Sequence, residues 1–184
     1  MAAIVAGEIL TRFTISTNVA GNSTPNSTPG TFLGGHVTSN TWAGGGTNDV
    51  FPDITGAQNA ANQVDYAGLA VHNSNAANAY QSAVIYVASD DGLGASIALG
   101  VDPTAATAVG AASGVPQLVT IANSTTAPAG VTFSAPTTAA TGIALGNIPV
   151  ANVRGFWIRR TAANTAARSG DTFTLGISGD TGSL

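Results

Sequence analysis

Short runs of alternating apolar and polar residues recur along this chain of 184 residues, and Gly, Pro, Asn or Asp separates each run from the next. Helix-favouring residues are scarce, because the chain contains one Glu and no Lys but 23 Gly and 8 Pro. That mixture favours strands and turns. Eight or nine short strands predict an all-β fold, a β-sandwich or jelly-roll-like domain. The predicted strands span residues 8–17, 66–72, 82–88, 96–101, 117–121, 131–134, 142–145, 153–160 and 172–178.

Alternation within these runs also predicts which side chains face the core. In the first run, Ile9, Phe13 and Ile15 share one face. Large apolar residues recur at alternate positions in the later runs, and we expect them to pack together. The predicted core set is Leu69, Val71, Val84, Tyr86, Phe133, Phe156, Ile158, Phe173, Leu175 and Ile177.

The first 50 residues differ in composition from the remainder. Between residues 18 and 48 the strand pattern gives way to Gly, Ser, Thr, Asn and Pro, including a tandem Asn-Ser-Thr-Pro repeat at residues 22–29. Such a segment cannot bury enough apolar surface to fold alone. We therefore predict an N-terminal strand and an extended low-complexity arm at residues 1–50, followed by a β-sandwich domain at residues 51–184.

Three large apolar side chains interrupt the low-complexity segment, namely Phe32, Leu33 and Trp42. Isolated apolar residues in a polar arm are suited to anchoring that arm on another surface, so we predict that these three bind a partner. The alternative is a loop that lies on the surface of the chain itself.

Charge is unusually sparse, with five basic and nine acidic residues, a net charge of −4 and no cysteine. Binding to nucleic acid needs many Lys and Arg contacts with phosphate, so we expect no nucleic-acid partner. Disulfides and thiolate metal sites are excluded. The sequence shows neither an apolar run of membrane-helix length nor a basic secretory leader, so we expect synthesis in a cytosol and no membrane partner. Charge depletion is typical of surfaces buried against neighbours.

Candidate catalytic and metal-binding groups are few. The histidines are His36, in the Gly-rich segment, and His72, at the end of a predicted strand, and neither has an acidic or His partner at ligand spacing. No Gly-x-Ser-x-Gly elbow accompanies them. We therefore expect no enzyme activity and no cofactor. Asp90 and Asp91 could contribute oxygens to a Ca²⁺ site, although Asp91-Gly92 is more simply read as a hairpin turn.

The largest local concentration of positive charge is Arg154, Arg159 and Arg160, with Arg168 nearby. Strand alternation places Arg154, Phe156, Ile158 and Arg160 on one face and Trp157 and Arg159 on the other. One interpretation is that these arginines solubilise the rim and pair with acids such as Asp171. The other is that Arg154, Arg159 and Arg160 reach carboxylates of a partner through bidentate hydrogen bonds.

Several stretches of the chain, concentrated in its second half, resemble a family of structural proteins of tailed double-stranded DNA bacteriophages. The resemblance covers about residues 50 to 182 and rests on motifs that mark strands and turns. They are residues 126–136 (TAPAGVTFSAP), 142–149 (GIALGNIP), 155–161 (GFWIRRT) and 171–180 (DTFTLGISGD), preceded by 66–73 (YAGLAVHN) and 81–87 (QSAVIYV).

This resemblance implies a non-enzymatic virion component that is made in the host bacterial cytoplasm. We expect a capsid decoration (cement) protein on the outer surface of the head, with the major capsid protein and neighbouring copies of itself as partners. A dimer or trimer is expected from symmetry. Two alternatives stay open: a tail, baseplate or fibre component, and a carbohydrate-binding β-sandwich that uses Trp42 or Trp157 as a stacking platform.

Overall fold

The computed structural model describes residues 3–166 and 170–181. These residues form ten strands, one short helix, α1 (Gly56–Ala60), and two 3-10 turns, Ala6–Glu8 and Ala139–Thr141. Every strand pairing among them is antiparallel. The predicted all-β, sandwich-like fold is confirmed. The strands are β1 (Ile9–Ile15), β2 (Gly34–Thr41), β3 (Val64–Asn73), β4 (Tyr80–Asp90), β5 (Ala95–Val101), β6 (Thr107–Ala108), β7 (Leu118–Thr120), β8 (Ile143–Ile148), β9 (Asn152–Ala162) and β10 (Phe173–Asp180).

The strands form two sheets of unequal size. The longer sheet has the order β5-β9-β3-β1-β2-β7, and β6 pairs with β9 beside this path. The smaller sheet has the order β10-β4-β8. Since β3 and β9 lie in the middle of the longer sheet, their side chains are shielded by strands on both sides as well as by whatever covers each face.

The main hydrophobic core lies between the two sheets. The longer sheet contributes Leu69, Phe156 and Ile158, and the smaller sheet contributes Ile85 and Leu145. Each large apolar side chain removed from water in this way contributes about 1.5–3 kcal/mol. As predicted, Phe173, Leu175 and Ile177 of β10 also pack against this core, where they are partly buried.

The opposite face of the longer sheet is covered as well. Trp157 on β9 is fully buried in a second cluster with Leu118 and Val37. The cover comes from the chain between β5 and β8, in which β7 pairs with β2 at one edge of the longer sheet and also lies over β9. The alternation predicted for residues 153–160 is therefore confirmed, because Phe156 and Ile158 face the main core while Trp157 faces the second cluster.

The side chains of β4 that face the core differ from the predicted ones. Ala83, Ile85 and Val87 are buried, whereas Val84 and Tyr86 are only partly buried and lie on the other face. Residues 83–88 are apolar at every position, so alternation cannot select a face. The prediction of Val84 and Tyr86 as core residues is corrected accordingly.

Phe133 and the strand predicted at residues 131–134 also differ from the prediction. Residues 131–134 make a single bridge to β5, through Ser134 and Leu99. Phe133 is partly buried against the second cluster, with its ring centroid 5.5 Å from that of Tyr66. Its position outside the main core follows from this role as a cover for the outer face of the longer sheet.

The described residues from 3 to 50 do not form an extended arm, which corrects the predicted division at residue 50. β2 lies within this region and pairs with both β1 and β7 in the longer sheet. Phe32 is fully buried and stacks on Phe13 with 4.3 Å between ring centroids. Val50 and Phe51, on either side of the predicted boundary, belong to the same main core. Sparse apolar residues suffice here because the sheet supplies the rest of the buried surface.

Candidate functional site

The predicted anchors of the arm contact their own chain. Phe32 has no exposed surface, and Leu33 is partly buried against the second cluster. Trp42 is partly buried against the main core, and its Nε1 donates a hydrogen bond to Asp49 Oδ2 at 3.2 Å. Phe32 is thus unavailable to a partner in this fold, and the indole of Trp157 is equally inaccessible to a carbohydrate.

Two shallow grooves of similar size lie on the surface, and Trp42 borders the first. This groove has a volume of about 370 Å³ and is also lined by Asp49 and Thr41. The second, of about 340 Å³, is lined mainly by the N-terminal segment and the end of β10, including Ile4, Val5 and Ile177. Both are open depressions at the edge of the sandwich rather than enclosed cavities.

The arginines of β9 make intramolecular contacts. Arg160 forms an ion pair with the buried Asp65, with 2.7 Å between Nη2 and Oδ2, and its Nη1 donates to the Pro52 carbonyl at 2.8 Å. Its guanidinium also lies 4.6 Å from the centroid of the Phe51 ring. The acidic partner predicted for the group, Asp171, is not used by Arg160. These contacts join the segment after β2 to the centre of the longer sheet.

Arg154 and Arg159 form no ion pair with a described carboxylate, although Asp102 lies near enough to Arg154 to favour its charged form. The Arg159 guanidinium lies 5.3 Å from the centroid of the Phe133 ring. Arg154 Nε donates to the Leu145 carbonyl at 3.3 Å, and burial lowers the pKa of Arg154. Arg168 lies outside the described residues. Cationic side chains of β9 are therefore partly buried, where their stems cover apolar surface.

Both histidines are buried. His72 Nδ1 lies 3.4 Å from Arg12 Nε, which donates toward it, and Arg12 Nη1 donates to the Ser39 carbonyl at 2.9 Å. Burial, assisted by the nearby positive charge of Arg12, lowers the pKa of His72 to about 4. Burial also lowers the pKa of His36. Both rings are nearly closed to solvent, at 5% and 3% exposure respectively.

Three exposed carboxylates meet where β10 begins and β4 ends. Carboxylate oxygens of Asp90, Asp91 and Asp171 lie within 4.8 Å of one another. Partial burial, together with a hydrogen bond to Asp91, raises the pKa of Asp171 to about 6, and the same hydrogen bond lowers the pKa of Asp91 to about 2. The pair therefore shares one proton between these pH values. Asp90 and Asp91 were predicted as possible Ca²⁺ ligands, whereas Asp171 was predicted only as a partner for the arginines; the β4–β10 register brings it beside Asp90 and Asp91.

Chemically, this cluster offers hard oxygen ligands of the kind that Ca²⁺ prefers. Much of its bonding capacity is already used within the chain, since Asp90 Oδ2 accepts from the Ile97 amide at 2.9 Å. Asp91 Oδ2 accepts from both the amide and the hydroxyl of Thr172 at 3.0 Å. These bonds fix the turn between β4 and β5 against the start of β10.

The fully exposed charged residues in the described part of the chain are all acidic. Every described arginine is at least partly buried, and so is Glu8. These exposed residues are Asp53, Asp90, Asp91, Asp171 and Asp180. The remaining exposed surface is mostly Thr, Ser, Asn, Gly and Ala. No helix within residues 3–166 and 170–181 has the length and apolar character needed to cross a membrane.

Comparison of this chain with protein-family models, curated proteins and solved structures finds no match.

Proposed function

We propose that this chain is a non-enzymatic structural protein of a tailed-phage virion, a capsid decoration protein that binds the outer surface of the head. The observation that carries the proposal is the shortage of charge on the surface. Among the described residues, five aspartates are the only charged side chains that are fully exposed. Free monomers ordinarily carry mixed charges that keep them apart, whereas surfaces buried against neighbours are depleted of charge. The resemblance of the strand and turn motifs to phage structural proteins supplies the type of assembly.

The mechanism is thermodynamic. A protein that contacts several subunits of an assembled shell binds the shell more tightly than it binds separate subunits, because the contacts act together. Its binding free energy then stabilises the assembled state alone. In this proposal the sandwich, with its covered faces, is a rigid body that holds the contacting loops and strand edges in place.

The first test is the copy number per virion, measured by quantitative mass spectrometry of purified particles. A decoration protein that follows the symmetry of the shell should be present in on the order of hundreds of copies per virion. A tail, baseplate or fibre component should be present in only a few copies up to a few dozen. Absence from purified particles would overturn the virion assignment, and a low copy number would transfer it to the tail.

The second test concerns shell stability. Particles assembled without this protein should release their genome at a lower temperature, and at a smaller osmotic shock, than complete particles. Adding back the purified protein is the matched control and should restore the original threshold. Equal thresholds with and without the protein would contradict the decoration mechanism even if the protein is present in the virion.

A further inference from the structure

β10 forms an outer edge of the smaller sheet, since it pairs with β4 on one side only. It carries no charged residue between Phe173 and Gly179 and contains no proline. The pairing of β10 with β4 contains two irregularities, and neither interrupts the backbone of β10. At the first, Thr174 pairs with Ser89 and Leu175 with Val87, so the additional residue lies in β4.

The second irregularity also leaves the additional residue in β4. Ser178 pairs with Val84 and Asp180 with Gln81, which again places the additional residue in β4, where Ser82 has a φ of 49°. β10 therefore continues as an extended strand from end to end. Long, uncharged edges without bulges offer unpaired N–H and C=O groups to another strand, and monomeric proteins usually avoid them.

The other sheet edges in the described residues are blunted. β5 is bridged by Ser134, with 2.7 Å from the Leu99 amide to the Ser134 carbonyl and 2.9 Å in the return direction. β7 spans only three residues. β8 contains Gly146 at a φ of 77°, and its Leu145 carbonyl already accepts a hydrogen bond from Arg154. β10 thus differs from every other edge in this part of the chain.

An apolar groove lies beside the second half of β10. It is the depression of about 340 Å³ lined by Ile177 and Gly179 of β10 and by Ile4, Val5 and Tyr80. Val5 is 61% exposed, the highest value among the exposed large apolar residues of the described chain. A strand added to β10 would project alternate side chains toward this groove, the arrangement by which sheet edges recognise extended peptides.

Charge at the ends of β10 indicates which strand it accepts. Asp171, with Asp90 and Asp91, lies at its beginning, and Asp180 lies at its end. If β10 paired antiparallel with a second copy of itself, Asp180 of each copy would approach the carboxylate cluster of the other. Parallel pairing would place each aspartate beside its own counterpart. Both arrangements oppose like charges and are unfavourable.

We propose that β10 is the docking edge for an extended segment of a different protein chain, with an uncharged middle whose apolar residues face the groove and with Lys or Arg at its ends. The segment would pair with the free backbone groups of residues 173–180, and its basic ends would meet the aspartates at either end of the strand. This inference goes beyond the proposed function, because the edge and its charges are the same whatever assembly contains the chain.

The test uses the full chain and a synthetic ten-residue peptide of alternating Thr and Val with Arg at both ends. The matched peptide has Glu at both ends. Binding is measured by fluorescence anisotropy, and amide hydrogen exchange locates the contact. We expect the Arg-ended peptide to bind about tenfold more tightly than the Glu-ended peptide and to slow exchange within residues 173–180. The substitution Asp180→Lys should weaken binding of the Arg-ended peptide by about three- to tenfold, since it reverses one exposed charge.

The control variant is Asp53→Lys, which makes the same charge change at an exposed residue outside β10. It should alter the affinity for the Arg-ended peptide by less than about twofold. Equal effects of the two substitutions, exchange protection elsewhere, or no binding of either peptide would overturn the proposal. Concentration-dependent dimerisation of the chain with protection of β10 in the absence of peptide would identify a second copy as the occupant and would overturn it as well. None of these outcomes bears on copy number in virions, so the two proposals fail separately.

Discussion

The buried carboxylate of Asp102 connects the second cluster to the loop that covers it. Its Oδ2 accepts hydrogen bonds from Trp157 Nε1 at 2.7 Å and from the Val119 amide at 3.0 Å, and its Oδ1 accepts from the Thr104 amide at 2.8 Å. Asp102 has no exposed surface. A buried carboxyl group is tolerated only when its oxygens are hydrogen-bonded, and these bonds tie the chain after β5 to Trp157 of β9.

Replacing Asp102 with Ala should therefore destabilise the fold. It leaves the Trp157 indole and two backbone amides without acceptors, and we expect the free energy of unfolding to fall by about 3 kcal/mol. Urea denaturation measures the change. The control is Asp53→Ala, at an exposed position, which should change stability by less than about 0.5 kcal/mol. A loss below about 1 kcal/mol at Asp102 would show that water replaces the carboxylate easily.

His72 makes stability depend on pH. Its pKa is lowered to about 4 in the folded chain, while the ordinary value is 6.5. Between these values the unfolded chain binds the proton and the folded chain does not. The free energy of unfolding should therefore be highest above pH 6.5 and fall as the pH drops toward 4, by at most about 3 kcal/mol from this group.

The variant His72→Gln isolates that contribution, because Gln does not titrate and its amide oxygen can accept the hydrogen bond from Arg12. The difference in unfolding free energy between wild type and variant should change with pH from 6.5 to 4 and be constant above 6.5. Carboxylates and His36 are present in both proteins and cancel in the difference. A constant difference across the whole range would contradict the assigned burial of His72.

Between elements, close approach of backbones sets the packing of the outer cover. A Cβ added at Gly155 of β9 would lie 2.5 Å from Leu118 Cγ and 3.0 Å from Asp102 Cβ. Glycine at this position therefore allows β7 and the chain after β5 to lie directly on β9. Larger residues here would lift the cover from Trp157.

Gly155→Ala should accordingly lower the free energy of unfolding by about 1–3 kcal/mol and shift the Trp157 fluorescence toward that of a more exposed indole. Gly110→Ala is the matched control in the covering segment, because nothing lies within 4 Å of its Cβ position and its φ is not positive. It should be neutral or slightly stabilising, by up to about 1 kcal/mol. Equal losses of stability for the two variants would mean that the covering segment moves away from the added methyl group at Gly155 without a cost in free energy.

Strands with clear alternation were predictable from sequence, and those without it were not. Residues 153–160 alternate strongly and correspond to β9, which is longer at each end by one or two residues. β2 was missed because Gly34-Gly35-His-Val-Thr-Ser-Asn-Thr41 has no apolar alternation, and its position is set by pairing with β1 and β7. Asp171 joined the carboxylate cluster only through the β4–β10 register. The local sequence pattern indicates which face of a single strand is buried, whereas the strand that it pairs with depends on residues far away in the sequence.

At the scale of the whole molecule, the described residues before and after position 50 share one sheet and one hydrophobic core. β1 and β2 lie between β3 and β7 in the longer sheet, and Phe13, Phe32 and Val50 belong to the main core. Removing them exposes the edge of β3 and leaves a large void beside Leu69. The low-complexity composition of residues 18–48 therefore does not indicate a dispensable segment.

A truncated chain of residues 51–184 should consequently lack a cooperative thermal transition by circular dichroism and calorimetry. The truncation removes several large core side chains, and the loss of each one costs about 2–5 kcal/mol. The sum of these losses exceeds the usual stability of a domain. Deletion of Gly44 and Gly45 is the control, because nothing lies within 4 Å of either Cβ position. That variant should melt cooperatively. A sharp two-state transition in the truncated chain would restore the division at residue 50.

The sequence by itself determined the all-β class, the turns and the alternation of β9, because Gly, Pro and Asn limit local backbone conformation and alternating side chains require one buried face. It also determined the shortage of charge on which the proposed function depends. Tertiary structure alone decided that Phe32 lies in the core, that Val84 and Tyr86 face outward, and that β10 is left as an open edge. Those outcomes depend on which strands pair and in what register, and pairing is a property of residues brought together from distant parts of the chain.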